Sequence, residues 1–205
     1  MGLREIKKQR ARGAILEAAR ELFFSTGYDG TTVEAIAAKA EVAVGTVYNY
    51  FESKSAIILA ITEEDTSEYS GGEYAISDTD SLPDVLRGYV HTFMEVLSRY
   101  PKQLLRELMR EALGSSGGSL GEGIIRQDIT LLEELEELFR RLRASGRLRD
   151  EVSTEMASLL VYGTVMTSLI WYAADTERKP EEMIASLDGM LETACLGLGP
   201  EGEAV

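Results

Sequence analysis

Residues 42–54, VAVGTVYNYFESK, place a threonine, an asparagine, two tyrosines and a lysine within little more than three helical turns. On a helix at about 100° per residue, Val44, Val47 and Phe51 fall on one arc, with Tyr48 at its edge. Gly45, Thr46, Asn49 and Tyr50 take the opposite side. The first arc suits packing, with Leu22, Phe23, Ile36 and Ala37 as apolar partners. The second offers a hydroxyl, an amide and a phenol, without the long charged chains that solubilise an ordinary exposed face. Small neutral donors and acceptors on a slim helix suit the DNA major groove, where they reach base edges and phosphates. Gly45 would let the backbone approach a phosphate, and Lys54 adds a positive charge. The same pattern also fits a plain structural hairpin, and spacing alone leaves both readings open.

Other chemistry is sparse. His91 and Cys195 are the only histidine and cysteine, 104 residues apart. They cannot build a zinc site or an internal disulfide. No nucleophile sits beside a base in a recognisable motif, no glycine-rich phosphate loop occurs, and acid pairs such as Glu133 and Glu134 read as surface charge. The expectation is a protein with no cofactor and no metal, and not an enzyme. A helical protein-interaction module, or an enzyme acting through residues the sequence does not flag, remain the alternatives.

The elements that must hold residues 42–54 are helical. Ala11, Ile15, Ala18, Ala19, Leu22 and Phe23 recur at three- and four-residue steps, predicting a first helix over residues 8–24, closed by Gly27 and Gly30. Thr31, three residues before Glu34, predicts a capping box and a short second helix to about Ala40. A third runs from about Val44 to Phe51, which makes a helix-turn-helix. Ser53 caps a fourth helix, and Ser81 with Pro83 and Asp84 starts another to about Arg99. Pro101 starts the next, through Leu113. The run GSSGGSLGEG over 114–123 reads as a loop, and a leucine stripe from Leu131 to Leu142 marks a long helix. The last two helices span about Ser153–Asp175 and Pro180–Leu196. No strand and no repeat emerges: the chain is all-α, with about nine helices.

Composition allows one or two domains: 205 residues, 44% apolar and 27% charged. No apolar run reaches the ~18 residues of a membrane span, and the N-terminus has no apolar signal core, so a cytoplasmic protein is expected. A net charge of −14 argues against nucleic acid until its distribution is seen. Through Ser55 there are eight basic and seven acidic residues; the remainder holds thirteen and twenty-eight. The first twelve residues hold five basic side chains, Arg4, Lys7, Lys8, Arg10 and Arg12. They fit an arm reaching DNA backbone or minor groove, or a solubilising tail.

TTVEAIAAKAEVAVGTVYNYFESKSAI, with ILEAARELFFSTGYDG before it, resembles the DNA-binding domain of the TetR family of transcriptional regulators. The resemblance covers about residues 11–58 and is carried most specifically by Tyr48–Lys54. It implies a helix-turn-helix domain over 1–52 and a helical effector-binding and dimerisation domain over 53–205. It implies phosphate contacts from Thr32, Tyr48, Asn49, Tyr50 and Lys54, with Val44, Gly45 and Thr46 facing bases. Family members often carry a basic or polar residue where this chain has Val44, which leaves contact with a thymine methyl, or packing, for this position.

The resemblance further implies a homodimer on a palindromic operator and a small-molecule effector, with repression relieved when the effector binds. The expected interface combines Leu159, Leu160, Tyr162, Gly163, Met166, Thr167 and Ile170 on one helix with Met183, Leu187, Met190, Leu191 and Ala194 on the next. The same stripes would also serve a protomer core. A pocket among the middle helices would draw on Tyr69, Tyr89, Phe93, Met94, Leu97, Leu105, Met109, Ile125 and Trp171, an apolar set suited to a hydrophobic effector.

Overall fold

The computed structural model describes residues 2–67, 77, 80–114 and 119–198, with side chains described outside 3–4, 67 and 111–127. Among the described residues there are nine helices: α1 (Leu3–Gly30), α2 (Val33–Lys39), α3 (Val44–Tyr48), α4 (Lys54–Ser67), α5 (Leu82–Ser98), α6 (Lys102–Gly114), α7 (Ser119–Ala144), α8 (Thr154–Ala174) and α9 (Pro180–Leu198). The all-α expectation holds.

Hydroxyl side chains cap the starts of α2, α4, α5 and α8. Ser53, Ser81 and Ser153 accept hydrogen bonds from the amides of Ala56, Asp84 and Met156. The cap of α2 lies one residue later than expected. Thr32 accepts from the Ala35 amide at 3.1 Å, while Thr31 is buried and donates to the Gly27 carbonyl at 2.7 Å. The reason is Gly27, whose φ of 76° kinks the end of α1 and frees a carbonyl that only an inward hydroxyl can satisfy. α1 also begins five residues before the expected start, so the basic arm is helix. The loop expected over 114–123 is cut short by α7, which begins at Ser119 because long helix formers outweigh two glycines costing about 1 kcal/mol each.

Two helices end in the same motif. After α2 the Val42 amide reaches back to the Ala37 carbonyl at 3.0 Å and that of Glu41 to Ala38 at 3.3 Å. After α7, Arg147 bonds to Leu142 and Gly146 to Arg143, both at 2.9 Å. Each is a six-to-one and five-to-two Schellman pair around a left-handed residue: Gly146 with φ 74° in one, Glu41 with φ 54° in the other.

The chain forms two compact units. The first comprises Met1–Asp65 and Tyr100–Ile125, built on Ile15, Phe23, Ile36, Val47, Ile57, Ile61 and Leu104, all buried. The boundary expected at 52/53 falls inside it, because the buried isoleucines of α4 belong to this core. The second unit, Thr66–Arg99 and Arg126–Val205, closes around Leu86, Met94, Phe139, Val161, Met183 and Leu187. α8 alone among the described helices is long and apolar enough to cross a membrane, with 44% of its most apolar window buried inside the protein.

Candidate nucleic-acid interface

α3 is a five-residue helix extended by one closing turn, in which the Tyr50 and Phe51 amides both bond to the Val47 carbonyl, at 3.0 and 2.9 Å. Val47 is fully buried and Phe51 nearly so. Buried like Ile36 and Ala37 of the adjoining α2, these two hold the short segment that local helix propensity alone could not. Gly45, Tyr48 and Asn49 stand exposed, while Val44, Thr46 and Tyr50 are half-buried. No other atom lies within 4 Å of the position a Gly45 Cβ would take. The side chains of Thr46, Tyr48, Asn49 and Tyr50 have no hydrogen-bond partner among the described residues, so their donors and acceptors face outward unspent. Thr32 is exposed at the start of α2; its oxygen serves the cap, which leaves its proton to donate.

Lys54 is engaged differently. Its Nζ donates to the carbonyls of Tyr28, at 2.6 Å, and Thr31, at 2.9 Å, and stands 4.0 Å from the Tyr28 ring centre. Burial pulls this ammonium below its ordinary pKa, partly offset by Asp29. The lysine stitches the start of α4 to the kinked end of α1, with the buried Tyr28 hydroxyl to Ser55 at 2.8 Å beside it. One of its three protons remains for a phosphate.

Residues 15–61 match the family model described as bacterial regulatory proteins, tetR family. The transcriptional repressor DhaR of Mycobacterium sp. (strain GP1) is 33% identical over 199 residues, covering 95% of this chain and 95% of DhaR. The chain belongs to the TetR family. SmeT, repressor of the Stenotrophomonas maltophilia multidrug efflux pump SmeDEF, superposes with a TM-score of 0.66 at 27% identity, over 95% of this chain and 93% of SmeT. SmeT is also known as a complex with triclosan. A TetR-family regulator from Syntrophomonas wolfei gives a TM-score of 0.70 at 23% identity over 92% and 96% of the two chains, a likeness of fold. Like its TetR-family relatives, the protein is a DNA-binding transcriptional regulator, and the family is one of regulators rather than enzymes.

In this TetR-family chain the expected pocket residues scatter. Tyr89 and Phe93 are half-buried and Met94 and Leu97 buried on α5, whereas Leu105, buried, and Met109, half-buried, belong to the first unit. Trp171 is 54% exposed, with Arg178 6.0 Å over its ring, and therefore outside any buried pocket. Tyr69 and the side chain of Ile125 lie outside the described residues. Of the expected interface, Leu159, Gly163 and Ile170 are exposed and Tyr162, Met166, Met190 and Ala194 half-buried. Met183, Leu187 and Leu191 are buried within the protomer, so no partner can reach them. Their stripe packs inward on α5 and α8, and the outward side of α9 is made by Ala185, Gly189 and Thr193 instead.

Several polar groups inside the helices escaped sequence reasoning. Asp65 accepts from both Arg20 and the Tyr100 hydroxyl. Burial, then the bond to Asp65, hold the Tyr100 phenol far above its ordinary pKa. In the second unit Tyr89 donates to Glu134 at 3.1 Å, and Asp128 pairs with the Tyr162 hydroxyl while burial raises its pKa. Glu107 is buried and bonded to Arg110. No periodicity marks the pairs of Asp65, Tyr89 and Asp128, since their partners lie tens of residues away.

Proposed function

We propose that this TetR-family regulator is a homodimeric repressor that binds a palindromic operator through α3 and is released by a small, predominantly hydrophobic effector. The outward, uncharged hydrogen-bonding side of α3, clamped on Val47 and Phe51, carries the reading. Thr46 and Gly45 face base edges, with Val44 against a thymine methyl; Thr32, Tyr48, Asn49, Tyr50 and the remaining proton of Lys54 take phosphates. Two copies related by a two-fold axis set their α3 helices about 34 Å apart, one turn of DNA. The outward side of α8 supports a dimer, because Met156, Leu159, Leu160 and Ile170 expose apolar surface around Gly163, where no atom lies within 4 Å of a would-be Cβ. On α9, Gly189 offers the same close approach.

The effector belongs to the helical body, against Tyr89 and Phe93, with the Tyr89 to Glu134 pair as a polar anchor. The complex of SmeT with triclosan supports a small-molecule effector. The protein works in the cytoplasm and carries out no catalysis. Gel retardation with the intergenic DNA beside its own gene tests the proposal: a palindromic fragment is shifted at moderate salt, Thr46→Ala weakens the shift in a sequence-dependent way, and Tyr50→Ala weakens it for all sequences. A wild-type protein that shifts no such fragment refutes the reading.

A further inference from the structure

The reading side of α3 carries no charge from Val44 to Phe51, yet affinity for a duplex comes largely from cations that displace counterions from phosphates. The cations must therefore be found elsewhere in the first unit. Most are taken. Arg12 is bound to Glu64 at 2.5 Å, Arg20 to Asp65, Lys39 to Glu21 at 2.6 Å, Arg110 to Glu107, and Lys54 to two carbonyls. Lys7, Lys8 and Arg10 are exposed and have no ion-pair or hydrogen-bond partner among the described residues.

Their place on α1 is informative. On the helical wheel Lys8 and Arg12 continue the inward stripe of Ile15, Ala19 and Phe23. That stripe is buried from Ile15 onward, whereas Lys8 is exposed, so at this level of α1 the stripe faces solvent. Arg12 on the same stripe pairs with Glu64, and its guanidinium lies 5.7 Å from the Phe51 ring, at the closing turn of α3. Lys8 stands one helical turn further out on the same stripe, about 6 Å along the axis.

We propose that the first turns of α1 are a preformed helical arm whose Lys7, Lys8 and Arg10 bind the DNA phosphates flanking the site read by α3. The inference rests on the DNA-binding reading and adds the element that supplies its electrostatics. Being helical already, the arm orders little on binding, which distinguishes it from a flexible basic tail.

The test uses the full-length protein and a labelled 30-base-pair duplex, chosen by in vitro selection with the wild type, titrated between 50 and 200 mM NaCl. Each phosphate contact contributes a slope of about −0.9 to log K against log salt. In a dimer the arm supplies up to six contacts, so the triple variant Lys7→Gln, Lys8→Gln, Arg10→Gln flattens the slope by up to about 5 and binds on the order of 100-fold or more weakly at 150 mM. The variant keeps its base preference, because α3 is untouched, and its melting temperature, because these exposed side chains have no ion-pair or hydrogen-bond partner among the described residues. Lys7→Arg with Lys8→Arg restores slope and affinity. A triple variant with the wild-type slope overturns the arm while the wild type's binding upholds the regulator. A wild type for which no duplex can be selected overturns both.

Discussion

Glu41 occupies the turn between α2 and α3 at φ 54°, a region where a side chain costs roughly 1–2 kcal/mol relative to glycine. Glycine in turn loses about 0.5–1 kcal/mol more conformational entropy on folding. Glu41→Gly therefore stabilises the first unit by about 0.5–1 kcal/mol, a rise in melting temperature of about 2 °C for a chain of this size. The same motif at the end of α7 runs the comparison backwards. Gly146 sits at φ 74° with nothing within 4 Å of a would-be Cβ, so Gly146→Ala costs backbone strain alone and destabilises by a similar amount. Thermal unfolding followed by circular dichroism reads both, with Glu41→Ala as the control that removes the carboxylate and keeps the Cβ. If Glu41→Ala stabilises as much as Glu41→Gly, the gain comes from charge and the conformational argument is wrong. The hydrogen bonds of the turn are unchanged by glycine, so operator binding is expected to stay at the wild-type level.

The remaining predictions concern single groups. Asp128 has a raised folded-state pKa, so its contribution is favourable below the ordinary carboxylate pKa and is lost as pH rises through the raised value; Asp128→Asn should melt higher than wild type at pH 7, with the gap closing as pH falls below about 4. A gap that widens in acid would reverse the sign and defeat the assignment. Gly163→Leu fits the free protomer and gains helix propensity of about 1 kcal/mol, yet blocks close approach at the outward side of α8. Light scattering should give a monomer mass with unchanged helix content, and a retained dimer places the interface elsewhere. Lys54→Met removes both bonds to the Tyr28 and Thr31 carbonyls and should cost about 1–2 kcal/mol without DNA; unchanged urea denaturation would mean the lysine serves DNA alone.

The α3 segment was legible because two periodicities coincide in it, apolar at Val47 and Phe51 and neutral polar at Thr46, Asn49 and Tyr50. What surrounds it was less so. Thr31 and Thr32 are chemically equal as caps, and only the kink at Gly27 decides which hydroxyl turns inward. The lysine at 54 looks like a free phosphate ligand until Tyr28 and Thr31, more than twenty residues earlier, are brought to it. Met183, Leu187 and Leu191 show why a stripe alone cannot assign an interface. Core and dimer surface impose the same spacing, and burial in the protomer separates them. Glu41 carries no signal at all, because a left-handed turn residue other than glycine is imposed by its neighbours' hydrogen bonds.

The bonds along α4 bear on how an effector could be felt at the operator. At its start Lys54 is tied to the end of α1 through two carbonyls, and near its end Glu64 and Asp65 hold Arg12 and Arg20 of the same helix. Between them Ile57, Ile58 and Ile61 are buried in the core that also holds Ile15 and Phe23. Bending α4 against α1 would break the charge-assisted bonds at one end, about 1–2 kcal/mol at Lys54, and open that core at a cost of several kcal/mol more. Tyr100, on the threshold of α6, shares Asp65 with Arg20 and stacks edge-on with Phe24 at 5.3 Å, so the start of α6 is fastened to the same body. A response of 1–3 kcal/mol, usual for allosteric coupling, is too small to dismantle these contacts. In the proposed dimer, relief of repression would therefore be a change in the distance between two intact reading heads.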